Sequence, residues 1–242
     1  MRILLVLLLG SAFALGQNVV TMPITDNSDV KSPIGNVGTI TLSEEIKDGK
    51  TYDSEVYNLT AKNVSDKEIV TFVEKLFVGY PSGSGEAIIE EKDSFFGHKL
   101  VEPGDAIDFS QKDPGGQIVM DQRASPPNKG LCNVRVLYAQ FADGTTFGNE
   151  EYGVHILGVR RDIWNVLGHL NAVYQKQGEQ AFVEELQKPV PSNDVKAFLD
   201  MFRSVQKEKG TQSNVGLIQK VLSDAEERQA RINAGSASHE VR

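Results

Sequence analysis

Cysteine and histidine are scarce in this chain of 242 residues. A single cysteine, Cys132, excludes an intramolecular disulfide, and a domain of this size has enough core to fold without one. Cys132 stands in the apolar run Leu131-Cys-Asn-Val-Arg-Val-Leu-Tyr138, which predicts a buried thiol acting as a small hydrophobe. The four histidines, His98, His155, His169 and His239, show no spacing such as His-Glu-x-x-His. A zinc site needs three or four ligands, and the sequence does not assemble them. Serine chemistry has no motif either. Tyr80-Pro-Ser-Gly-Ser-Gly85 holds Ser82 and Ser84 but not the Gly-x-Ser-x-Gly elbow, and no Gly-Lys-Ser/Thr follows to cradle phosphate. Asp26-Asn-Ser-Asp29 and the acids Glu90, Glu91 and Asp93 offer oxygen ligands but lack the glycine and distal glutamate of a full calcium loop. No catalytic residue, cofactor-binding residue or metal ligand is therefore assigned, and the reading is of a protein that is not an enzyme.

Long apolar runs are confined to the first residues. Arg2 precedes Ile3 to Leu9, and Gly10, Ser11, Ala12, Ala14 and Gly16 follow. A short apolar core ending in small residues predicts a cleavable signal peptide over 1–16, cut after Gly16, with Ala14 and an uncleaved anchor as the alternatives. The run is too short for a permanent span, so no stable membrane span is expected after cleavage. The expected location is periplasmic or secreted.

Positive charge is outnumbered in part of the chain. From Gln17 to Gly158 there are 12 Lys and Arg against 22 Asp and Glu, a net −10, whereas Val159 to Arg242 is near neutral. An acidic surface excludes phosphate-led nucleic-acid binding, which needs clustered cations. The basic residues Lys196, Arg203, Lys207 and Lys209 are interleaved with acids and read as a solvated face.

What is present is two periods in succession. Val37 to about Leu157 alternates as strands. In Glu55-Val-Tyr-Asn-Leu-Thr-Ala-Lys62, Tyr57, Leu59 and Ala61 point one way and Asn58, Thr60 and Lys62 the other. Asn63-Val-Ser-Asp-Lys67 predicts a turn, Glu68 to Val78 a return strand, and Ala87-Ile-Ile-Glu-Glu91 a short strand. Glu102-Pro-Gly-Asp105 predicts a turn before Ala106-Ile-Asp-Phe109. Leu131 to Phe141, Asp143-Gly144 and Thr146-Phe147 predict a hairpin with a two-residue turn. His155, beside Val154 and Ile156, is expected on a strand. The matches Asn58-Leu-Thr60 and Asn63-Val-Ser65 to the glycosylation pattern carry little weight.

Short strands with regular turns indicate a two-sheet sandwich. The order of Asn63-Val-Ser-Asp-Lys67 after one strand and Glu102-Pro-Gly-Asp105 before another resembles the small immunoglobulin-like modules of exported bacterial proteins, the FxLYD-type domains among them. The likeness covers about Val37 to Gly148. The Phe-x-Leu-Tyr-Asp string itself is absent, with Val56-Tyr-Asn-Leu59 nearby. The resemblance implies a fold and an exported location, and no catalytic residues.

After Gly158 the period becomes helical. Ile163, Val166, Leu167, Leu170 and Tyr174 share a face that Gly178 ends; Glu179 to Lys188 forms a second helix before Pro189 and Pro191. Ser192 caps a third helix with Val195, Phe198, Leu199, Phe202 and Val205 inward, ended by Gly210. Ser213 caps a fourth with Val215, Ile218, Val221, Leu222 and Ala225.

The expected fold is α+β: a signal peptide 1–16, an antiparallel immunoglobulin-like β-sandwich 17–158, three to four amphipathic helices over 159–234, and a flexible tail 235–242. The expected function is a non-catalytic binding module of the cell envelope, whose partner is an envelope protein or ligand of unknown identity. It would bind through end loops and edges, with Tyr80, Ser82, Ser84, Asp143, Thr146 and Asn149 as the binding residues. Two alternatives stand beside it. One is an assembly factor that binds through its helices. The other is a hydrolase in which His155 or His169 meets acids between sandwich and helices.

Overall fold

The computed structural model describes residues 18–47, 50–79, 85–97, 99–109, 111–112, 132–190 and 192–239. Strands come first. In one sheet β1 (Asn18–Pro23), β3 (Ile34–Lys47), β4 (Lys50–Asn63) and β7 (Ala106–Asp108) lie in that order, with β8 (Gln111–Lys112) also on β4. In the other the order is β10 (Thr146–Gly148), β9 (Cys132–Phe141), β5 (Ile69–Gly79) and β6 (Gly85–Asp93), and β2 (Thr25–Asp26) runs parallel to β9. Between β1 and β3 the chain leaves the first sheet for the second and returns. The Ile24 N–H bonds Gly38 O on the way, at 2.9 Å.

The alternation read from β4 is present: Tyr57, Leu59 and Ala61 are buried, and Asn58 and Lys62 are exposed. These inward residues, with Ile34 and Ile40 of β3, meet Phe72, Leu76 and Val78 of β5 and Cys132, Val134 and Val136 of β9. The core between the sheets therefore comes from the inner positions of both, as sheet-on-sheet packing requires. Cys132 is buried in it.

Two irregularities let the second sheet serve two cores. The pairing of β5 with β9 shifts between Ile69 and Thr71, and again between Val73 and Glu74. A bulge reverses which side chains face which side. Val70 is thereby turned to the helices, while Ile69 and Phe72 stay between the sheets. On β9 the extra residue is Leu137, so Val136 and Ala139 face inward and Tyr138 faces out.

The helices are α1 (Glu150–Gln177), α2 (Glu179–Leu186) and α3 (Asn193–His239), the last broken at Gly210. Their apolar stripes pack on one another and on Val70, Phe95 and Phe96 beside the second sheet. No helix among the described residues is long and apolar enough to cross a membrane. Gly178 (φ 85°, ψ −170°) and Gly210 (φ 78°, ψ 178°) each join two helical segments through one residue. That backbone region is open essentially to glycine alone. Gly178→Ala and Gly210→Ala are each expected to cost about 1–3 kcal/mol, read as a lowered urea midpoint. Open space around both Cβ positions means that the cost comes from the backbone and not from a clash.

Five expectations are corrected. The helical region begins at Glu150 and not at Val159, because Asn149 caps it: the Glu151 N–H donates to Asn149 Oδ1 at 3.0 Å. His155 is thus helical. Ser213 caps nothing, because the helix resumes straight after Gly210 and Ser213 lies within it. The tail does not begin at Gly235, since α3 continues to His239 and Gly235 lies on the hairpin turn, where a Cβ would come 2.1 Å from Asp143 O. The turn itself is a three-residue loop with Gly144 at φ 82°, closed by Phe141 N–H to Thr145 O at 2.9 Å. The extra residue brings Ala142 against the helical core.

Candidate functional site

Among the described residues, elements cover only half of the outer face of the second sheet. Val73 and Tyr138 support Ile156 of α1, and Leu137 and Tyr152 flank that contact. Gly153 is required there, because a Cβ would lie 2.8 Å from Tyr138 Oη. Farther along the strands no helix follows among the described residues. β5 pairs Lys75 with Ile89 and Phe77 with Ala87 of β6, all on this outer face. Ile89 is 49% exposed and Phe77 36%. The result is a step: an open sheet surface with α1 as its wall, bounded on one side by β6. Among the described residues β6 pairs only with β5, and no described strand occupies its outer edge.

The wall is held by Arg160. Its Nε and Nη2 donate to the two carboxylate oxygens of Asp93 at 2.9 and 2.7 Å, and Nη1 donates to Gln140 Oε1 at 2.7 Å. The guanidinium also lies 4.4 Å from the centre of the Phe95 ring, a cation–π position. Arg160 and its partners bolt α1 to β6 and β9 at once. Next to this lock, desolvation and then Asp93 raise Glu91 above the ordinary carboxyl range, while His155 and Arg160 pull it back. Glu91 is held by opposed fields at the foot of the wall.

The residues named from sequence fall elsewhere. Tyr80, Ser82 and Ser84 lie outside the described residues. Asp143 accepts from Thr145 N–H and Oγ1 at 3.0 and 2.6 Å, and Lys67 Nζ approaches its Oδ2 to 2.7 Å. Desolvation opposes its charge, but Lys67 and Thr145 together outweigh this and pull its carboxyl down to about 2. Thr146 is exposed and pairs with Gln140 on the sheet edge, and Asn149 is the helix cap. These three stand on the hairpin and its exit and are not brought to the step. His155 is exposed on α1 near Glu91. His169 Nε2 lies 3.2 Å from Glu185 on the helical surface. Asp26 accepts Ser28 and Asn36 N–H groups, and Asp29 accepts Lys31 N–H. Lys196 and Arg203 pair with Asp200, and Arg203 also donates to Leu186 and Lys188 carbonyls.

Sequence reading missed Arg160 and Asp93 as partners. One signal was available: Arg160 falls on the buried face set by Ile156, Ile163 and Leu167, where a charge needs a partner. Comparison of the chain with protein families, curated proteins and solved structures finds no match in any of the three.

Proposed function

We propose that the protein is an exported, non-catalytic binding module of the cell envelope that takes an extended polypeptide segment alongside β6. The observation that carries this reading is the outer edge of β6, a nine-residue strand unpaired on that side among the described residues, with exposed Ile89 and Phe77 beside it. An unpaired edge offers a row of N–H and C=O groups to an added strand, and flanking apolar side chains select among segments. The strand Gly85-Glu-Ala-Ile-Ile-Glu-Glu-Lys-Asp93 carries four acids against one lysine, which favours a basic segment. The order of Asn63-Val-Ser-Asp-Lys67 and Glu102-Pro-Gly-Asp105 along the chain is what supports a likeness to FxLYD-type modules. The apolar run Ile3 to Leu9 followed by small residues supports export.

A second reading has its own observation. Val154 and Leu157 of α1 are exposed and three residues apart, so they share a helix face. They favour an assembly factor that binds through α1.

A photo-crosslinker placed at Ile89, Val154 or Val37, with the envelope fraction of the native host, separates the readings. Val37 lies on the outer face of the first sheet and is 70% exposed. The expected outcome is one discrete adduct from position 89 and none from 37. Ile89→Asp in the otherwise native chain should weaken that partner about tenfold or more. An adduct from 154 alone moves the partner to α1. Equal adducts from all three positions, or none, overturn both readings.

A further inference from the structure

Two polar side chains interrupt the core between the sheets at one level. On the inner face of β5, Glu74 stands between Phe72 and Leu76 and is 1% exposed. On β3, Asn36 stands between Ile34 and Ile40. Ile34, Phe72 and Val136 belong to one apolar cluster, and Ile40, Leu76 and Val134 to the other, so the polar pair marks the boundary between them. Asn36 Nδ2 donates to Glu74 Oε1 at 2.9 Å. The other half of each group, Glu74 Oε2 and Asn36 Oδ1, is buried and finds no hydrogen-bond partner among the described residues. Two orphan acceptors on one hydrogen-bonded pair are unusual, because buried polar atoms are almost always satisfied. A single proton on Oε2 would satisfy both.

The charged neighbours favour that proton. On β2, Asp26 accepts the Asn36 backbone N–H through Oδ2 at 2.7 Å. On β6, Glu90 is in register with Glu74, and the Tyr57 hydroxyl of β4 donates to its Oε1 at 3.0 Å. On β9 the residue in register is Val136. Lys75 and Arg135, themselves paired, lie on the opposite face of the sheet, and Lys92 is in register with Phe72, two residues from Glu90.

We infer that Glu74 carries a proton in the folded protein and donates it from Oε2 to Asn36 Oδ1, closing a two-bond acid–amide pair that makes the core between the sheets a proton-dependent switch. Burial first, and then Asp26 and Glu90, outweigh the Asn36 hydrogen bond and raise this carboxyl from 4.5 to about 7. The unfolded chain releases the same proton near its ordinary value. The folded chain therefore holds one extra proton over the interval between the two values. The contribution is complete below about 4.5 and is lost as pH rises through about 7. The full change corresponds to roughly 300-fold in the folding equilibrium. Above that pH a buried carboxylate faces Asp26 and Glu90, and the seam between β3 and β5 is where the strain falls.

The test uses the full chain and Glu74→Gln. Glutamine offers Nε2 to Asn36 Oδ1 and Oε1 to Asn36 Nδ2, so it copies the protonated pair and cannot ionise. Carboxyl carbon-13 NMR of the wild-type chain should show Glu74 titrating near 7. Urea midpoints should fall from acid to alkaline pH in the wild type relative to Glu74→Gln, with the two chains closest in acid. A Glu74 midpoint in the ordinary carboxyl range, or parallel pH dependence in the two chains, overturns the inference. If Glu74→Gln does not fold, the wild-type carboxyl titration decides alone.

Discussion

Arg160→Ala is expected to remove about 3–5 kcal/mol of folding stability, the range for breaking a buried charge pair from one side. Arg160 is buried, and its guanidinium satisfies both oxygens of Asp93 and the amide oxygen of Gln140. Truncation leaves Asp93 largely buried, with Glu91 as an acidic neighbour whose field the arginine no longer offsets. Lysine should rescue little, since the three N–H bonds of an ammonium diverge from one nitrogen and cannot match the planar fork that spans Asp93 and Gln140. Arg160→Met combined with Asp93→Leu should recover most of the loss, because an apolar pair leaves no orphan charge. Urea unfolding at neutral pH measures all four chains. Hydrogen exchange locates the damage: protection should fall first in α1, which the arginine fastens to β6 and β9. A loss under about 1 kcal/mol would place Arg160 among ordinary surface ion pairs and remove the lock from the account of the step.

Asn63→Ala should be nearly as costly, at about 3 kcal/mol or more, because it orphans several buried groups at once. Asn63 is fully buried. Its Nδ2 donates to Lys67 O and Val101 O, both at 2.8 Å, and its Oδ1 accepts from Ser65 N–H and Oγ at 3.0 and 2.7 Å. Its backbone also bonds Asp105 O and Gly104 N–H, each at 2.9 Å. One side chain therefore ties the turn after β4 to Val101 and the turn before β7. Both protons of the amide nitrogen are committed inside the protein, so a sugar on this residue is incompatible with the fold. Asn63→Asp should be at least as damaging as alanine, since it exchanges two donors for a buried charge. Thermal unfolding of the three chains is the measurement. A wild-type midpoint in Asn63→Ala would show that the two turns fold independently.

Both residues mark the limit of what was legible. Asn63-Val-Ser-Asp-Lys67 and Glu102-Pro-Gly-Asp105 were readable as two turns, because Asn, Pro and Gly act on their own backbone. That Asn63 joins them was not, since Val101 is 38 residues away. The helix from Glu150 was hidden for a related reason. Gly153 weakens the local helical signal, yet glycine is there because Tyr138 leaves no room for a Cβ. The step beside β6 was unreadable because it depends on how far α1 reaches across the sheet. No residue along β6 records that. Glu74 did leave a trace, a charge at an inward position between Phe72 and Leu76, but its partner Asn36 is 38 residues away.

The sequence by itself determined most of the strands, the helical stripes and most of the turns, because periods of two and of about three and a half residues are written in neighbouring side chains. The inward set of β4, the buried Cys132 and the stops at Gly178 and Gly210 all followed from local chemistry. Only the tertiary structure decided which charges are buried, which half of the second sheet stays open, and which polar groups meet between the sheets. Those outcomes depend on pairs brought together across the chain, such as Arg160 with Asp93 at a separation of 67 residues. Their energy comes from desolvation and directed hydrogen bonds that exist only once both partners are in place.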